Sequence, residues 1–267
     1  MLYLILVIKM KSLDNTIKYY ELLMKYDDTS KIKQYELPKG FRYEFYKPGD
    51  EKEWIMIHIE SGEFTSIKEG QKYFHDFYDN FISELNKRCI FIVDDSTNEK
   101  VGTATISLLK EKEFGYEAAV DWFAIKKSYQ GKKLAKPLIS KFIEIAKDLG
   151  HKQLILHTQT TTWLAAKLYL DYGFEILNKD EITGWSILKT LTHHEKLSNY
   201  PTIPKEELFD LRNIEIEKLL TKIYNTDNFN YSVWYKNGLH NVYAYYNGKS
   251  YEYEYFIEDN KIRLEEV

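Results

Sequence analysis

The sequence predicts an α/β protein with a mixed, largely antiparallel central sheet flanked by helices, followed by a small C-terminal α+β module. Short apolar runs of strand length alternate with amphipathic stretches of helical spacing, which is the pattern of a layered α/β fold. Hairpin turn signals are concentrated near the end of the chain. With 267 residues, 44% of them apolar, the chain can bury a full core in one large domain or two modest ones.

The first part of the layer is predicted to contain helices and a hairpin. Residues 14–26 carry apolar side chains at helical spacing behind a capping Asp14 or Asn15, so we expect an amphipathic helix there. A longer stretch, 66–87, shows the same spacing. The polar turn 95–98 separates two apolar runs and predicts a hairpin. The predicted elements are the helix 14–26, the strand 41–46, the helices 51–60 and 66–87, and the strands 89–93 and 101–108.

The second part of the layer alternates strand and helix. Pro137 lacks an amide hydrogen and fits only the first turn of a helix, which places the start of that helix near Lys133. Gly150 ends the same helix, and Thr161 caps the next one. The predicted elements are the strand 116–125, the helix 134–149, the strand 153–158, the helix 161–172, and the strands 174–177 and 185–191.

The end of the chain has a different pattern. Pro201 and Pro204 flank a linker, and a predicted helix over 205–224 follows. Asn-Gly pairs between alternating runs are the strongest short hairpin signal, so we expect a four-strand antiparallel meander. Its strands are predicted over 231–235, 240–246, 251–257 and 262–265, with turns at Asn237-Gly238, Asn247-Gly248 and Asp259-Asn260.

Tyrosines alternate along the third of these strands. The period of two places Tyr251, Tyr253 and Tyr255 on one face of the sheet. We expect this aromatic row to pack on the module's own helix as a small core. An aromatic surface for a partner or a substrate is the alternative interpretation.

Charge and cysteine content exclude several classes of protein. The formal net charge is only −4 and no segment is strongly basic, so we expect no nucleic-acid partner. The single cysteine, Cys89, lies in an apolar run, which rules out a disulfide within the chain and fits a reducing cytoplasm. The apolar start, 1–8, is too short to span a bilayer and has no cleavage site, so neither a membrane role nor a secretory signal is expected. Both Met1 and Met10 are candidates for the true start.

A polar turn after a buried strand predicts an anion site. The apolar run 120–125 leads into Gln130, Gly131 and two lysines, and a helix begins directly afterwards. The first amides of a helix have no partner within it and point outward along the positive end of its dipole. Lys132 and Lys133 add two full charges, which suits a pyrophosphate carrying an extended arm.

The same turn resembles the acyl-CoA-binding signature of the GNAT superfamily of N-acetyltransferases, Q/R-x-x-G-x-G/A. A second stretch is similar to the superfamily's later motif, A-x-x-L-Y-x-x-x-G-F. The resemblance covers roughly residues 41–191 and departs from the pattern twice, because Lys133 stands at the central glycine and Thr162 at a common asparagine. The two motifs are Gln130-Gly131-Lys132-Lys133-Leu134-Ala135 and Ala165-Ala166-Lys167-Leu168-Tyr169-Leu170-Asp171-Tyr172-Gly173-Phe174.

The resemblance implies a GNAT-like fold, acetyl-CoA as the acyl donor, and roles for particular residues. By this resemblance Tyr169 is the acid that protonates the departing thiolate. The residues implied in binding the donor are Phe123, Ala124, Ile125, Gln130, Gly131, Lys132, Lys133, Leu134, Ala135 and Thr162. Packing of Tyr169 near Phe174, without a chemical role, is the alternative.

The base that deprotonates the acceptor amine is less well defined. Asp121 lies two residues before Phe123, on the same side of a regular strand, so it is the first candidate. Glu117 on that face and His157 on the next strand are weaker candidates. The adjacent pair His193 and His194 lacks metal-ligand spacing, so we assign no metal.

These observations predict a cytoplasmic N-acetyltransferase that moves an acetyl group from acetyl-CoA to an amine of a small molecule or a peptide. The rival is a non-catalytic acyl-CoA-binding or scaffold protein that acts through its tyrosine-rich module. Assembly into a homodimer through that module is compatible with both. The expected domains are 1–36, an extension with an amphipathic helix; 37–199, the acetyltransferase domain; and 200–267, the C-terminal module.

Overall fold

The computed structural model describes residues 13–113, 115–236, 239–258 and 261–266. Both candidate starts and the predicted turns Asn237-Gly238 and Asp259-Asn260 lie outside the described residues. The chain divides into two compact units. One unit is Leu23–His157 with Asp171–Asn178, and the other joins Thr158–Leu170 to the described parts of Met1–Leu22 and Lys179–Val267.

The larger sheet has seven strands in the order β2-β3-β4-β5-β6-β1-β7. Its strands are β1 (Glu21–Tyr26), β2 (Phe41–Phe45), β3 (Cys89–Asp94), β4 (Glu99–Glu113), β5 (Tyr116–Ile125), β6 (Leu154–Gln159) and β7 (Glu175–Ile176). Strand β5 pairs parallel with β6, whereas β2–β3, β3–β4, β4–β5 and β1–β7 are antiparallel. The prediction of a mixed, largely antiparallel sheet is therefore confirmed. Residues 89–93 of β3 are all buried, and burial raises the pKa of the Cys89 thiol to about 11.

Seven α-helices accompany the strands in the described residues. They are α1 (Glu51–Ser61), α2 (Ile67–Tyr78), α3 (Leu85–Arg88), α4 (Ala135–Asp148), α5 (Trp163–Tyr172), α6 (Ile182–Thr192) and α7 (Leu211–Tyr224). Helix α2 starts as expected at Ser66, whose side chain accepts a hydrogen bond from the amide of Glu69. It ends earlier than predicted, because a 3₁₀ segment at Asp79–Glu84 with a non-helical Phe81 follows it. Among the described residues, no helix combines the length and apolarity that crossing a bilayer requires.

The predicted helix over 14–26 is wrong. The carboxylate of Asp14 accepts from the amide and hydroxyl of Thr16, which closes a local turn instead of capping a helix. Residues 21–26 form β1, where Leu22, Leu23 and Met24 are buried in succession. A strand buried on both faces carries apolar residues without a gap, and such a run imitates helical spacing over a short window.

The predicted strand over 185–191 is also wrong. These residues belong to α6, whose start is capped by the Glu181 side chain accepting from the amide of Gly184 at 3.1 Å. A Cβ added at Gly184 would lie 2.8 Å from Leu22 Cδ2 and 2.9 Å from Tyr20 Cβ, so the helix packs closely on that segment. In the sheet, β1 occupies the position between β6 and β7. The final strand of the expected layer is thus replaced by one from the start of the chain.

The C-terminal strands form a four-stranded antiparallel sheet in the order β11-β10-β9-β8, which confirms the predicted meander. The strands are β8 (Asn230–Lys236), β9 (Leu239–Tyr246), β10 (Lys249–Glu258) and β11 (Lys261–Glu266). Asn247 and Gly248 adopt φ values of 50° and 79°, as a two-residue hairpin with the favoured handedness requires. Tyr253 and Tyr255 are buried in one core cluster with Ile216 of α7, so the predicted packing of the tyrosine row on the helix is confirmed.

The approach to this module differs in detail from the prediction. A 3₁₀ segment, Lys205–Leu208, comes first, and α7 begins only after Asp210, whose carboxylate accepts from the amides of Arg212 and Asn213. A second core cluster joins the segment to residues from elsewhere in the same unit. Its buried members are Ile17, Ile187, Leu208, Phe209 and Ile214. Independent folding of residues 200–267 stays a prediction, and truncation there would uncover Ile17 and Ile187.

The turn between β5 and α4 contains two residues with left-handed backbone. Gly131 has φ of 78° and Lys133 has φ of 62°. Glycine adopts this conformation freely, but a lysine does so at a cost of roughly 1 kcal/mol. Pro137 is the third residue of α4, inside the first turn as expected. The strand-to-helix transition is therefore compressed into a short turn that carries backbone strain at Lys133.

Lys133→Gly should raise the free energy of unfolding by about 1 kcal/mol, because glycine removes the left-handed penalty. Urea denaturation of the two proteins measures the difference. The matched control is Lys132→Gly, whose native residue has no positive φ and which should therefore lower stability, since glycine adds entropy to the unfolded chain. Destabilisation by both substitutions would show that Lys133 is not strained.

Candidate active site

Strand β5 extends beyond its pairing with β6. The paired residues are Ala119 with Ile155 and Val120 with Leu156, while β5 continues to Ile125. Its antiparallel register with β4 shifts within the same stretch, between the partners of Thr103 and Thr105. An irregularity of this kind bends the strand and re-aims side chains. The last residues of β5 thus lie past the residues paired with β6, and they lead directly into the turn before α4.

The irregularity is centred on Trp122, whose φ is 54°. Left-handed backbone at a bulky residue is a genuine outlier and costs about 1–2 kcal/mol. The indole ring is held by a ring cluster, which we call the Trp122 cluster. Its members Trp54, His58, Phe64, Tyr73 and Phe77 have ring centroids 5.1–5.6 Å from that of Trp122. Aromatic packing therefore offsets the strain of the kinked strand.

The kink changes the expected placement of Asp121 relative to Phe123. Asp121 pairs across the sheet with Thr105, whose hydroxyl accepts from Tyr78 of α2 at 3.0 Å. Phe123, in contrast, packs edge-on against Phe142 of α4. Asp121 and Phe123 therefore face different neighbours, and the expectation that they share one side of a regular strand is wrong.

His58 is a buried ionisable residue that the sequence did not single out. It is fully buried on α1, and its Nδ1 lies 2.7 Å from Glu63 Oε2. Among the described residues its Nε2 has no hydrogen-bond partner. Its ring lies against that of Trp122. The only signal in the sequence is a histidine on the apolar side of a short helix, which is also typical of an ordinary core residue.

The predicted anion-binding turn is ordered by its own side chains. Gln130 Nε2 donates to the carbonyl oxygen of Ile125 at 3.1 Å, which ties the turn to the end of β5. Lys132 Nζ lies 3.9 Å from the centroid of the Tyr129 ring. At the start of α4, the N-cap Leu134 supplies no side-chain hydrogen bond to the described backbone. The first amides of α4 therefore have neither an intrahelical acceptor nor a side-chain cap.

Lys126, directly after β5, is a buried cation beside this turn. Its ammonium lies 2.6 Å from Glu99 Oε1 and 3.1 Å from Glu60 Oε1, and its side chain is 4% exposed. Burial lowers the pKa of Lys126, but the hydrogen bonds to the two carboxylates outweigh burial, so the pKa is raised. Glu99 Oε2 also accepts from the Tyr129 hydroxyl at 3.1 Å.

The remaining predicted donor-binding residue, Thr162, lies at the start of α5. Its hydroxyl accepts from the amide of Gln159 at 3.3 Å and lies 3.1 Å from Thr158 Oγ1. Together with the Gln159 side chain it forms a capping box for the 3₁₀ turn Thr160–Thr162. The structure thus gives Thr162 a capping role, and its contact with a donor stays a prediction.

The candidate acid and bases lie on three elements. Tyr169 is 5% exposed on α5, Asp121 is half-buried on β5, Glu117 is exposed on β5, and His157 is half-buried on β6. All four have interaction partners within the protein. The structure divides them between units, since Tyr169 and Thr162 belong to one, and Asp121, Glu117, His157 and the turn to the other.

The histidine pair at the end of α6 has a local structural role. His193 ends the helix with φ of 52°, and His194 Nδ1 accepts from the amide of Lys196 at 3.1 Å. No group of three or more potential metal ligands occurs among the described residues.

Comparison with known proteins identifies the segment that carries this site. Residues 54–174 match the model of the acetyltransferase (GNAT) family. N-acetyltransferase 8F1 of Rattus norvegicus is 29% identical over 101 residues, which cover 38% of this chain and 46% of the rat protein. The chain thus spans about half the length of the relatives it matches.

Similar solved structures include a GCN5-related N-acetyltransferase from Sphaerobacter thermophilus, with 15% identity, a TM-score of 0.49, and coverage of 61% of this chain and 49% of that one. A GNAT-family acetyltransferase from Colwellia psychrerythraea has 14% identity, a TM-score of 0.46, and coverage of 61% and 55%. The family match spans both sequence motifs, the kinked strand and the turn. Residues 54–174 are therefore an acetyltransferase domain of the GNAT family, and the resemblance of its motifs is confirmed.

Proposed function

We propose that this protein transfers an acetyl group from acetyl-CoA directly to an amine of a small molecule or a peptide. The observation that carries the proposal is the combination of a kinked strand end with an amide-rich turn inside the segment that matches the GNAT family. Members of this family use acyl-CoA donors, and acetyl-CoA is the usual one. The preference for acetyl over other acyl groups is part of the proposal.

The turn fits the pyrophosphate of such a donor. Its amides from Gly131 to Ala135 precede or begin α4, where the helix dipole favours negative charge. Lys132 and Lys133 are exposed and add two positive charges at the same place. A Cβ at Gly131 would meet nothing within 4 Å, so the space beside this part of the turn is open to a ligand.

The end of β5 fits the acyl arm. Phe123, Ala124 and Ile125 lie beyond the parallel pairing with β6, and we propose that their backbone groups bind the pantetheine arm and polarise the thioester carbonyl. Amides fixed by a rigid strand need no reorganisation when negative charge develops on that oxygen. The kink at Trp122 would thus convert backbone strain into preorganisation.

Two protons must move for the transfer to complete. The amine must lose one before or during attack, and we propose that Asp121, half-buried beside the kink, accepts it directly or through water. The departing thiolate must gain one, and we propose that the hydroxyl of Tyr169 donates it.

The rival is a domain that binds acyl-CoA without turnover. Two observations favour it: Lys133 carries left-handed backbone where the family signature has a glycine, and the hydroxyl of Thr162 is engaged in a cap. Release of CoA in the presence of a panel of amines discriminates between the two functions. A cytoplasmic location, assembly into a homodimer, and independence from nucleic acids and membranes remain predictions.

Lys132→Glu should weaken acetyl-CoA binding by roughly tenfold or more, which corresponds to about 1.4 kcal/mol per tenfold, because it places an anion against the pyrophosphate. Titration calorimetry measures the Kd. Lys249→Glu, an exposed charge reversal in the C-terminal sheet, is the control and should leave the Kd unchanged. A wild-type protein that binds no CoA would refute both the enzyme and its rival.

Tyr169→Phe should lower kcat by roughly tenfold to a thousandfold, in line with general-acid contributions of about 10²–10⁴. The melting temperature should change far less than kcat, because the ring and its packing are kept. The control is Tyr172→Phe on the same helix, which removes a partly buried hydrogen bond to the carbonyl of Lys33 and should lower stability by about 1 kcal/mol while leaving kcat intact. Unchanged turnover in Tyr169→Phe would leave solvent as the proton source.

A further inference from the structure

We infer that Lys126 is a positioning residue for the acyl-CoA donor, acting through Glu99 and Tyr129 to hold the turn and the ammonium of Lys132 in their binding arrangement. The inference rests on the proposed function of the turn. It concerns four side chains in contact with one another, which we call the Lys126 chain: Lys126, Glu99, Tyr129 and Lys132.

The side chain of Lys126 is buried. An ammonium at 4% exposure is unfavourable unless it is paired and hydrogen-bonded. Two carboxylates, Glu99 at 2.6 Å and Glu60 at 3.1 Å, supply that pairing. The cation is therefore covered by protein groups, and its effect on a ligand must pass through neighbouring side chains.

Lys126 connects the end of β5 to two other elements, α1 and β4. Glu60 lies in the last turn of α1, and Glu99 is the first residue of β4. The backbone amide of Lys126 donates to the carbonyl of Val101 on β4 at 2.9 Å. Side chain and backbone of Lys126 thus fix the exit of β5 against both α1 and β4.

Glu99 also contacts the turn that follows β5. Its second oxygen, Oε2, accepts from the hydroxyl of Tyr129 at 3.1 Å. The amide of Tyr129 also donates to the carbonyl of Lys126 at 2.9 Å. The 3₁₀ segment Lys127–Tyr129 is therefore closed by a backbone bond and by a side-chain bridge. It cannot rotate without breaking the contact to Glu99.

The Tyr129 ring orients the side chain of Lys132. Its ammonium lies 3.9 Å from the centroid of the Tyr129 ring, within the range of a cation–π contact. A lysine on an exposed turn otherwise samples many rotamers, and ordering it on binding costs affinity. The fixed Tyr129 ring pre-orders that charge before the donor arrives. Lys126 thereby contributes to donor affinity without touching the donor.

The protein contains a second lysine–carboxylate ion pair that serves as a control for Lys126. Lys100 on β4 pairs with Asp50, the N-cap residue of α1, with side chains 12% and 15% exposed. It is a partly buried lysine–carboxylate pair in the same unit, and its lysine also lies over an aromatic ring, Phe91 at 4.8 Å. Neither member belongs to the Lys126 chain. A general loss of stability would appear in both pairs, whereas a loss of donor affinity should appear in one.

The test compares Lys126→Met with Lys100→Met by calorimetric titration with CoA and by thermal unfolding. Both substitutions should lower the melting temperature, because Lys126→Met leaves Glu60 and Glu99, and Lys100→Met leaves Asp50, without the ammonium partner. Only Lys126→Met should raise the Kd for CoA, by roughly tenfold, and in turnover its effect on the KM for the donor should exceed its effect on kcat. Lys126→Arg, which keeps the charge, should recover part of the affinity.

A double-mutant cycle tests the connection itself and does not depend on the folding of Lys126→Met. Tyr129→Leu and Lys132→Ala should each weaken CoA binding, and the double variant should lose less than the product of the two single effects. Independent effects would overturn the inference. So would a folded Lys126→Met protein with wild-type affinity, which would leave the proposed function standing. Failure of the wild type to bind CoA would remove both.

Discussion

The kink at Trp122 is the constraint on which the candidate site depends. A regular strand would keep Asp121 and Phe123 on one face of the sheet. The left-handed residue and the register shift with β4 break that alternation in β5, and residues 123–125 then lead into the predicted anion-binding turn. Strain of this kind persists only where the surroundings over-determine it. The Trp122 cluster holds the strained residue in place, because deeply buried rings such as Trp54 and Phe64 pack against the indole.

A second constraint acts a few residues later. The chain must change from strand to helix between Ile125 and Ala135, and it uses two left-handed residues to do so. The glycine accepts that conformation without cost, but Lys133 does not. Ordering of the preceding residues by Lys126, Glu99 and Tyr129 explains how a strained turn can still be well defined. Under the proposed function, the first constraint serves the carbonyl of the donor and the second serves its pyrophosphate.

Local signals in the sequence predicted much of the fold. Asn247-Gly248 and Pro137 were interpreted correctly, because each acts within a few residues of its own position. The two failures, 14–26 and 185–191, have a common cause. Whether a short apolar run becomes a strand or a helix depends on contacts with distant parts of the chain: residues 21–26 enter the sheet between β6 and β7, whereas residues 185–191 form part of α6.

In the candidate site, too, the sequence predicted the local features and missed those that depend on distant residues. The turn from Gln130 to Ala135 was visible because its residues are contiguous and have a recognisable composition. The Lys126 chain was not, since its ion pair joins residues 27 apart and a lysine after a strand has no distinguishing pattern. The irregular backbone at Trp122 was invisible for a further reason: tryptophan is a residue that sequence rules exclude from left-handed conformations.

Hydrogen exchange of the turn amides tests the central claim most directly. If acetyl-CoA is bound by the start of α4, exchange in the segment 126–138 should slow when the donor is added in excess, because amides that face solvent acquire acceptors on the phosphates. Exchange in the C-terminal strands should not change. Protection confined to other segments, with the turn exchanging at its unliganded rate, would contradict the assignment of this turn as the donor site.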